Sequence, residues 1–307
     1  MSIPADVLEL LACPRTGEPL TERDGLLVNR SGTERYRISR IGIALFAENF
    51  LGDEARQQQS HYDSVAQTYI ENLNYPHTQE YAAYLDQELM AQFDEGPLGK
   101  VAEICCGRGE AFRLLGPRIG VGVGVDVSER MLDSARADLP RFTFIQGDAT
   151  RLPLASAVLD AVVMLGGIHH VNDRAALFAE IHRVLKPGGR FYFREPLSDF
   201  FVWRLLRAVI YRLSPGLDYA TERPLLERET VPPLERAGFR VRTWRSLGFL
   251  GFCFFMNSDI LVFNRLFRFV PGIRGITRAA ARLDAWTVRL PGLRGAGLQV
   301  IGVAEKP

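Results

Sequence analysis

Val101-Ala-Glu-Ile-Cys-Cys-Gly-Arg-Gly109, a short helical run, and then Gly124-Val-Asp126 make up the stretch whose reading decides the fold. Val101, Ile104 and Cys105 suit a buried parallel strand. Gly107 and Gly109 let the chain turn sharply and approach a ligand where a Cβ would stand in the way. The helix predicted over 111–115 points its first N–H groups at whatever lies in that turn. Asp126 follows Gly109 by 17 residues and ends the next apolar run, Val121 to Val125. A carboxylate there is placed to accept both hydroxyls of a ribose. The unit reads as one nucleoside-binding half of a doubly wound α/β sheet.

A dinucleotide fingerprint would need a third glycine in G-x-G-x-x-G, and a triphosphate cradle would need a glycine-rich loop ending in Lys. Neither is present. The chain carries Glu103-x-Cys105-x-Gly107-x-Gly109, with a carboxylate inside the strand. Glu103 to Gly109 and Val125-Asp-Val-Ser-Glu-Arg-Met-Leu132 resemble the first two motifs of the class I S-adenosylmethionine-dependent methyltransferases. The likeness continues through Gly147-Asp-Ala-Thr-Arg-Leu-Pro153, Leu159 to Leu165 and Arg183-Val-Leu-Lys-Pro-Gly-Gly189, covering roughly residues 60–195. Five motifs in order are far more specific than one. The departure is Cys105, which stands where the family has its first glycine.

The resemblance implies a Rossmann-like, doubly wound seven-stranded sheet with S-adenosyl-L-methionine as cofactor. Onto this chain it carries Glu103, Cys105, Gly107 and Gly109 in the turn, and Asp126, Val127 and Met131 after the second strand. Asp148 would take the adenine amino group, Ala149 would leave room for the ring, and Leu165 would close the fourth strand. Tyr69, in a helix over Tyr62 to Tyr69 similar to one that folds over the cofactor in small-molecule methyltransferases, would reach its methionine end. The plain alternative makes Tyr62 and Tyr69 core residues seven apart on one helix face.

The 307 residues, 24% charged and 47% hydrophobic, describe a globular chain with a large core rather than a disordered or membrane-spanning one. Cys13, Cys105, Cys106 and Cys253 form no disulfide framework, and no secretory signal opens the chain, so a reducing, cytoplasmic setting is expected. Charge is uneven. Residues 1–199 carry 20 Lys+Arg against 28 Asp+Glu, net −8; residues 200–307 carry 17 against 8, net +9. That asymmetry suits either an anionic partner surface or attraction between parts of one molecule.

Residues 1–50 read as a small α+β unit, a short helix from Val7 running into Cys13-Pro14 and then short strands at Leu26–Asn29, Tyr36–Ser39 and Gly42–Phe46. It resembles the small zinc-ribbon activators of tRNA and release-factor methyltransferases. With Thr16 at the second knuckle position and no further cysteine or histidine nearby, it reads as a ribbon without its metal, since a structural zinc needs four N or S ligands. It would cover one side of the catalytic domain or mediate a homodimer. The methyltransferase domain then spans 51–307. Strands are expected at Phe142–Asp148, Leu159–Leu165, from Arg190, at Phe239–Trp244 and at Leu298–Val303. A helix over 175–185 should be stopped by Lys186-Pro-Gly-Gly189. Helical insertions at about 197–230 and 247–295 concentrate the aromatics. Their longest charge-free apolar run, Leu247 to Met256, is too short to span a bilayer. Residues 247–275 read as a greasy substrate pocket, a subunit contact or a peripheral membrane contact, against plain core packing.

Methyl transfer requires nucleophile, carbon and sulfur in line, and an oxygen or nitrogen nucleophile also needs a base. His169 and His170, just past the fourth strand, are the candidates. Glu195, ending the fifth, would orient substrate. His61 and His77 lie near the opening helix. No cluster has metal-ligand spacing, so metal-independent chemistry on a small, hydrophobic or lipid-linked acceptor is expected. An RNA methyltransferase is the rival suggested by the ribbon, opposed by the acidic first 199 residues and by only three lysines in the chain. A non-catalytic partner subunit is a second rival. A dehydrogenase fails on the missing glycine.

Overall fold

The computed structural model describes residues 2–46, 74–206, 223–256 and 262–307. The expected helix at Tyr62–Tyr69, His61 and the middle of the first insertion lie outside these residues. The N-terminal segment expected to be a ribbon runs α1 (Ala5–Leu8), β1 (Leu20–Arg23), β2 (Leu26–Asn29), β3 (Arg35–Ile38) and β4 (Ala44–Leu45). Then come α2 (Pro76–Met90), β5 (Gly99–Ile104), α3 (Glu110–Leu115), β6 (Ile119–Asp126), α4 (Glu129–Asp138), β7 (Thr143–Gln146), β8 (Leu159–Leu165), α5 (Arg174–Val184) and β9 (Leu185–Pro196). The chain closes with α6 (Glu227–Arg236), β10 (Arg240–Leu247), α7 (Leu250–Met256), a 3-10 stretch Val262–Phe269, α8 (Ile273–Thr287) and β11 (Gln299–Glu305).

The seven expected strands are all present, in the order β7-β6-β5-β8-β9-β11-β10, with β11 antiparallel to both neighbours and the others parallel. The ribbon extends the same sheet to eleven strands. Its β4 pairs in parallel with β7, matching Ala44 to Ile145 and Leu45 to Gln146. Ala12 N–H also bonds to Pro153 C=O, and Ala155 N–H to Leu10 C=O. Cys13 is buried with its sulfur 3.0 Å from the Tyr36 hydroxyl, and Tyr36 packs on Phe46.

Buried apolar strands carry helices on both faces, as a mainly parallel sheet requires. Leu177, Phe178 and Ile181 of α5 pack on one face with Phe191, Phe193 and the ribbon. Tyr81, Leu85 and Leu89 of α2 pack on the other with Phe112 and Phe144. Ser128 and Asp173 cap α4 and α5, accepting N–H bonds from Met131 and Ala176.

Lys186-Pro-Gly-Gly189 departs from the expected helix cap. Helix α5 ends at Val184, but Leu185 is already extended (φ −72°, ψ 142°), and the four residues lie inside β9. They form a bulge between the pairs Leu159↔Leu185 and Ala161↔Arg190. Pro187 pushes Lys186 out of helical conformation, and Gly188 (φ +77°) absorbs the bend within the strand.

The strand order reverses between β5 and β8, and in open α/β sheets ligands bind at such a point, beyond the carboxyl ends of the strands. Pro196 and Leu247 both lie opposite Gln299, so the insertions after β9 and β10 rise from that same edge.

Candidate active site

The turn after β5 is built around Glu103. Its buried carboxylate accepts N–H bonds from Ala111 (2.8 Å) and Phe112 (3.2 Å), satisfying the first turn of α3. Burial pushes this carboxyl up to about 8. The sequence places Glu103 on the cofactor; the structure commits both of its oxygens to the helix, so it shapes the turn from beneath. Gly107 (φ +48°) and Gly109 (φ +79°) take left-handed conformations, and no atom comes within 4 Å of where a Cβ on Gly107 would stand. The corner is therefore open on its ligand side.

Cys105 is the anomaly, a non-glycine residue at φ +52°. Room for its side chain comes from across the crevice. A Cβ on Gly167, just past β8, would lie 2.6 Å from the Cys105 Cβ and 2.7 Å from the Met164 Cε. Glycine at 167 thus lets the loops after β5 and β8 close on each other with cysteine between them. Burial, and then the negative charges of Asp126, Glu195 and Asp148, push the Cys105 thiol well above its ordinary range.

Asp126 ends β6 and accepts N–H bonds from Gly107 (2.8 Å) and Ser128 (2.9 Å), locking the acidic tip to the glycine corner. Val127 is half-buried and its carbonyl accepts from Gln146 Nε2, while Met131 is buried at the start of α4. Asp148 accepts both the N–H and the hydroxyl of Thr150 at one oxygen, which fixes the carboxylate just past β7 beside the buried Ala149. Leu165 is half-buried at the tip of β8. Tyr69 lies outside the described residues. An open corner, an acidic tip and a second fixed acceptor fit an adenosyl ligand: Asp126 would hold the ribose and Asp148 the base.

Glu195 is fully buried near the end of β9. One oxygen accepts Gly167 N–H (2.7 Å) and Ile168 N–H (2.8 Å), and the other lies 2.8 Å from His169 Nδ1. Instead of touching substrate itself, as the sequence suggests, Glu195 orients the imidazole and pins the loop that carries it. With Nδ1 held as the proton donor to a carboxylate, Nε2 is the nitrogen left to accept a proton. His170 lies against it, with ring centroids 3.8 Å apart, while the carboxylate bonds are to His169.

Over this edge sits the helical cap. Asp284 of α8 is buried and accepts N–H bonds from Phe249, Gly251 and Phe252 and the hydroxyl of Tyr81 (2.6 Å), tying α8, the start of α7 and α2 together. Sequence reasoning missed this residue. His77, at the start of α2, is buried against Tyr75, Phe255 and Phe267. Burial lowers its pKa, against a smaller opposing pull from Asn264. Among the described residues no three His, Cys, Asp or Glu side chains are grouped to hold a metal ion.

Fold and corner together define an α/β protein whose open turn at the β5–β8 switch point fits an adenosyl group. Residues 102–193 match the family model described as a methyltransferase domain. The 2-phytyl-1,4-naphtoquinone methyltransferase of Thermosynechococcus vestitus is 31% identical over 187 residues, 53% of this chain and 82% of that protein. An uncharacterized methyltransferase of Synechocystis sp. is 35% identical over 150 residues, 47% of this chain and 68% of the relative. Among solved structures, the [4+2]-cyclase SpnF has the same fold at TM-score 0.59, with 19% identity over 82% of this chain and 97% of its own. The chain belongs to the S-adenosylmethionine-dependent methyltransferases, and S-adenosylmethionine is its methyl donor.

Proposed function

We propose that the acceptor is a lipophilic molecule carrying a hydroxylated ring of the quinol type, and that His169 takes the ring hydroxyl's proton. The bound cofactor supplies an activated methyl group on a sulfonium. What the chain adds is position and a base. Asp126, locked to Gly107, would hold the ribose against the corner. Glu195 holds His169 Nδ1, so that Nε2 receives the proton as negative charge passes into the ring. Removing that proton makes a ring oxygen or an adjacent carbon nucleophilic. The aromatic cap would exclude water from the reacting atoms and accommodate a flat apolar ring.

The observation that carries this reading is the half-buried His169 held by the buried Glu195 at the ends of β8 and β9. The names of the relatives add the ring: one acts on a phytyl naphthoquinone, and a Lactococcus lactis relative, 38% identical over 99 residues, is a demethylmenaquinone methyltransferase. The test is to incubate the protein with S-adenosylmethionine and reduced, demethylated naphthoquinones in detergent, and to follow methylated product by mass spectrometry. His169→Gln should lower kcat roughly 10²–10⁴-fold while cofactor affinity holds. Unchanged turnover in that variant would remove His169 as the base, and no product from any such ring would remove the acceptor class.

A further inference from the structure

The cap's outer surface is unlike the rest of the molecule. Among the described residues, thirteen of the fourteen large apolar side chains left exposed lie within 201–206 and 250–286. Leu266, Phe269 and Trp286 are 63%, 70% and 59% exposed. The segments adjoin: Phe200 packs on Trp203 and Trp203 on Phe249, and Gly251 and Phe252 of α7 bond to Asp284 of α8. A soluble surface rarely gathers so many large apolar groups without a partner.

Helix α8 shows how this is built. At 3.6 residues per turn, Ile273, Thr277, Ala281 and Asp284 form its buried stripe, and Arg274, Arg278 and Arg282 form a second. Ile276, Leu283 and Trp286 form a third, apolar and turned to solvent. A helix serving only the core needs one apolar stripe. Two, with arginines alongside the outer one, are the pattern of a helix lying in a membrane interface.

We infer that this face of the cap docks on an anionic lipid surface. Charge selects that occupant. Residues 250–294 carry seven arginines against two aspartates; Arg274 and Arg278 pair with Glu80 of α2, whereas Arg268, Arg282, Arg289 and Arg294 are exposed, and Asp284 is buried with its oxygens engaged. A second copy seated on the same face would set arginines against arginines, whereas anionic headgroups would neutralise them. Because the insertions rise from the strand ends that carry His169, docking there puts the site at the membrane. This rests on the lipophilic acceptor proposed above only for its purpose; the binding is separately measurable.

The experiment is flotation of the full-length protein with vesicles of phosphatidylcholine alone or mixed with phosphatidylglycerol. Binding should require the anionic lipid and weaken as salt rises. Arg268→Gln with Arg282→Gln should weaken it about fivefold per arginine, and Leu266→Ser with Phe269→Ser should abolish it, with S-adenosylmethionine affinity by calorimetry unchanged in both. Three results would overturn the inference: no binding to either vesicle, equal binding by the apolar variant, or a stable dimer in solution that the apolar variant dissociates. Retained vesicle binding with no quinol methylation would instead sink the acceptor while leaving the docking surface standing.

Discussion

Asp126 does two jobs that a substitution separates poorly. It would receive the ribose, and it already holds the N–H groups of Gly107 and Ser128. Asp126→Ala should therefore weaken S-adenosylmethionine binding by roughly ten- to a hundredfold, as expected for lost charge-assisted hydrogen bonds. Calorimetry checks it, and retained affinity would detach the acidic tip from the cofactor. Cys105 and Gly167 invite a double-mutant cycle. Gly167→Ala places a methyl 2.6 Å from the Cys105 Cβ, so it should cost about 1–3 kcal/mol of stability by overpacking. In a Cys105→Gly background most of that cost should vanish, which urea unfolding of the four proteins will show. Equal costs in both backgrounds would mean that the two loops do not compete for this space. The motif made Cys105 visible as an oddity, but nothing in sequence linked it to Gly167, because the contact crosses from one strand end to another.

At the scale of elements, the strands were legible because each is a short apolar run ending at a glycine or carboxylate, and β8 was expected over the residues it occupies. The glycine corner was legible because its residues lie close together in sequence. The bulge in β9 was not, since Pro-Gly-Gly after a helix reads equally as a cap, and only pairing with β8 decides between them. Asp284 was invisible too. An aspartate inside an arginine-rich insertion looks like a solvated charge until α7 is placed over it. Asp284→Ala would strand three backbone N–H groups and the Tyr81 hydroxyl, at a cost of about 3 kcal/mol. Limited proteolysis should then cut first in 247–295 while cofactor binding persists. An unaltered cleavage pattern would show that the cap is held by its apolar contacts alone.

For the whole molecule, the buried carboxyl of Glu103 ties stability to pH. Its folded value, about 8, lies above the ordinary 4.5, so the native state binds the extra proton between them. Stability from this group is complete below about 4.5 and declines as pH rises through about 8. Glu103→Gln, which stays neutral, should flatten that decline; thermal melts of both proteins from pH 5 to 9 measure it, and parallel curves would contradict the sign.

The joint between β4 and β7 has a consequence for how the chain is made. Two adjacent hairpin pairings, β1 with β2 and β2 with β3, are available as soon as residue 38 has left the ribosome. Ala44 and Leu45 must wait for Ile145 and Gln146, about a hundred residues and roughly 5–20 s of translation later. During that interval the nascent ribbon has an unmatched border, and the emerging β7 is the piece that closes it.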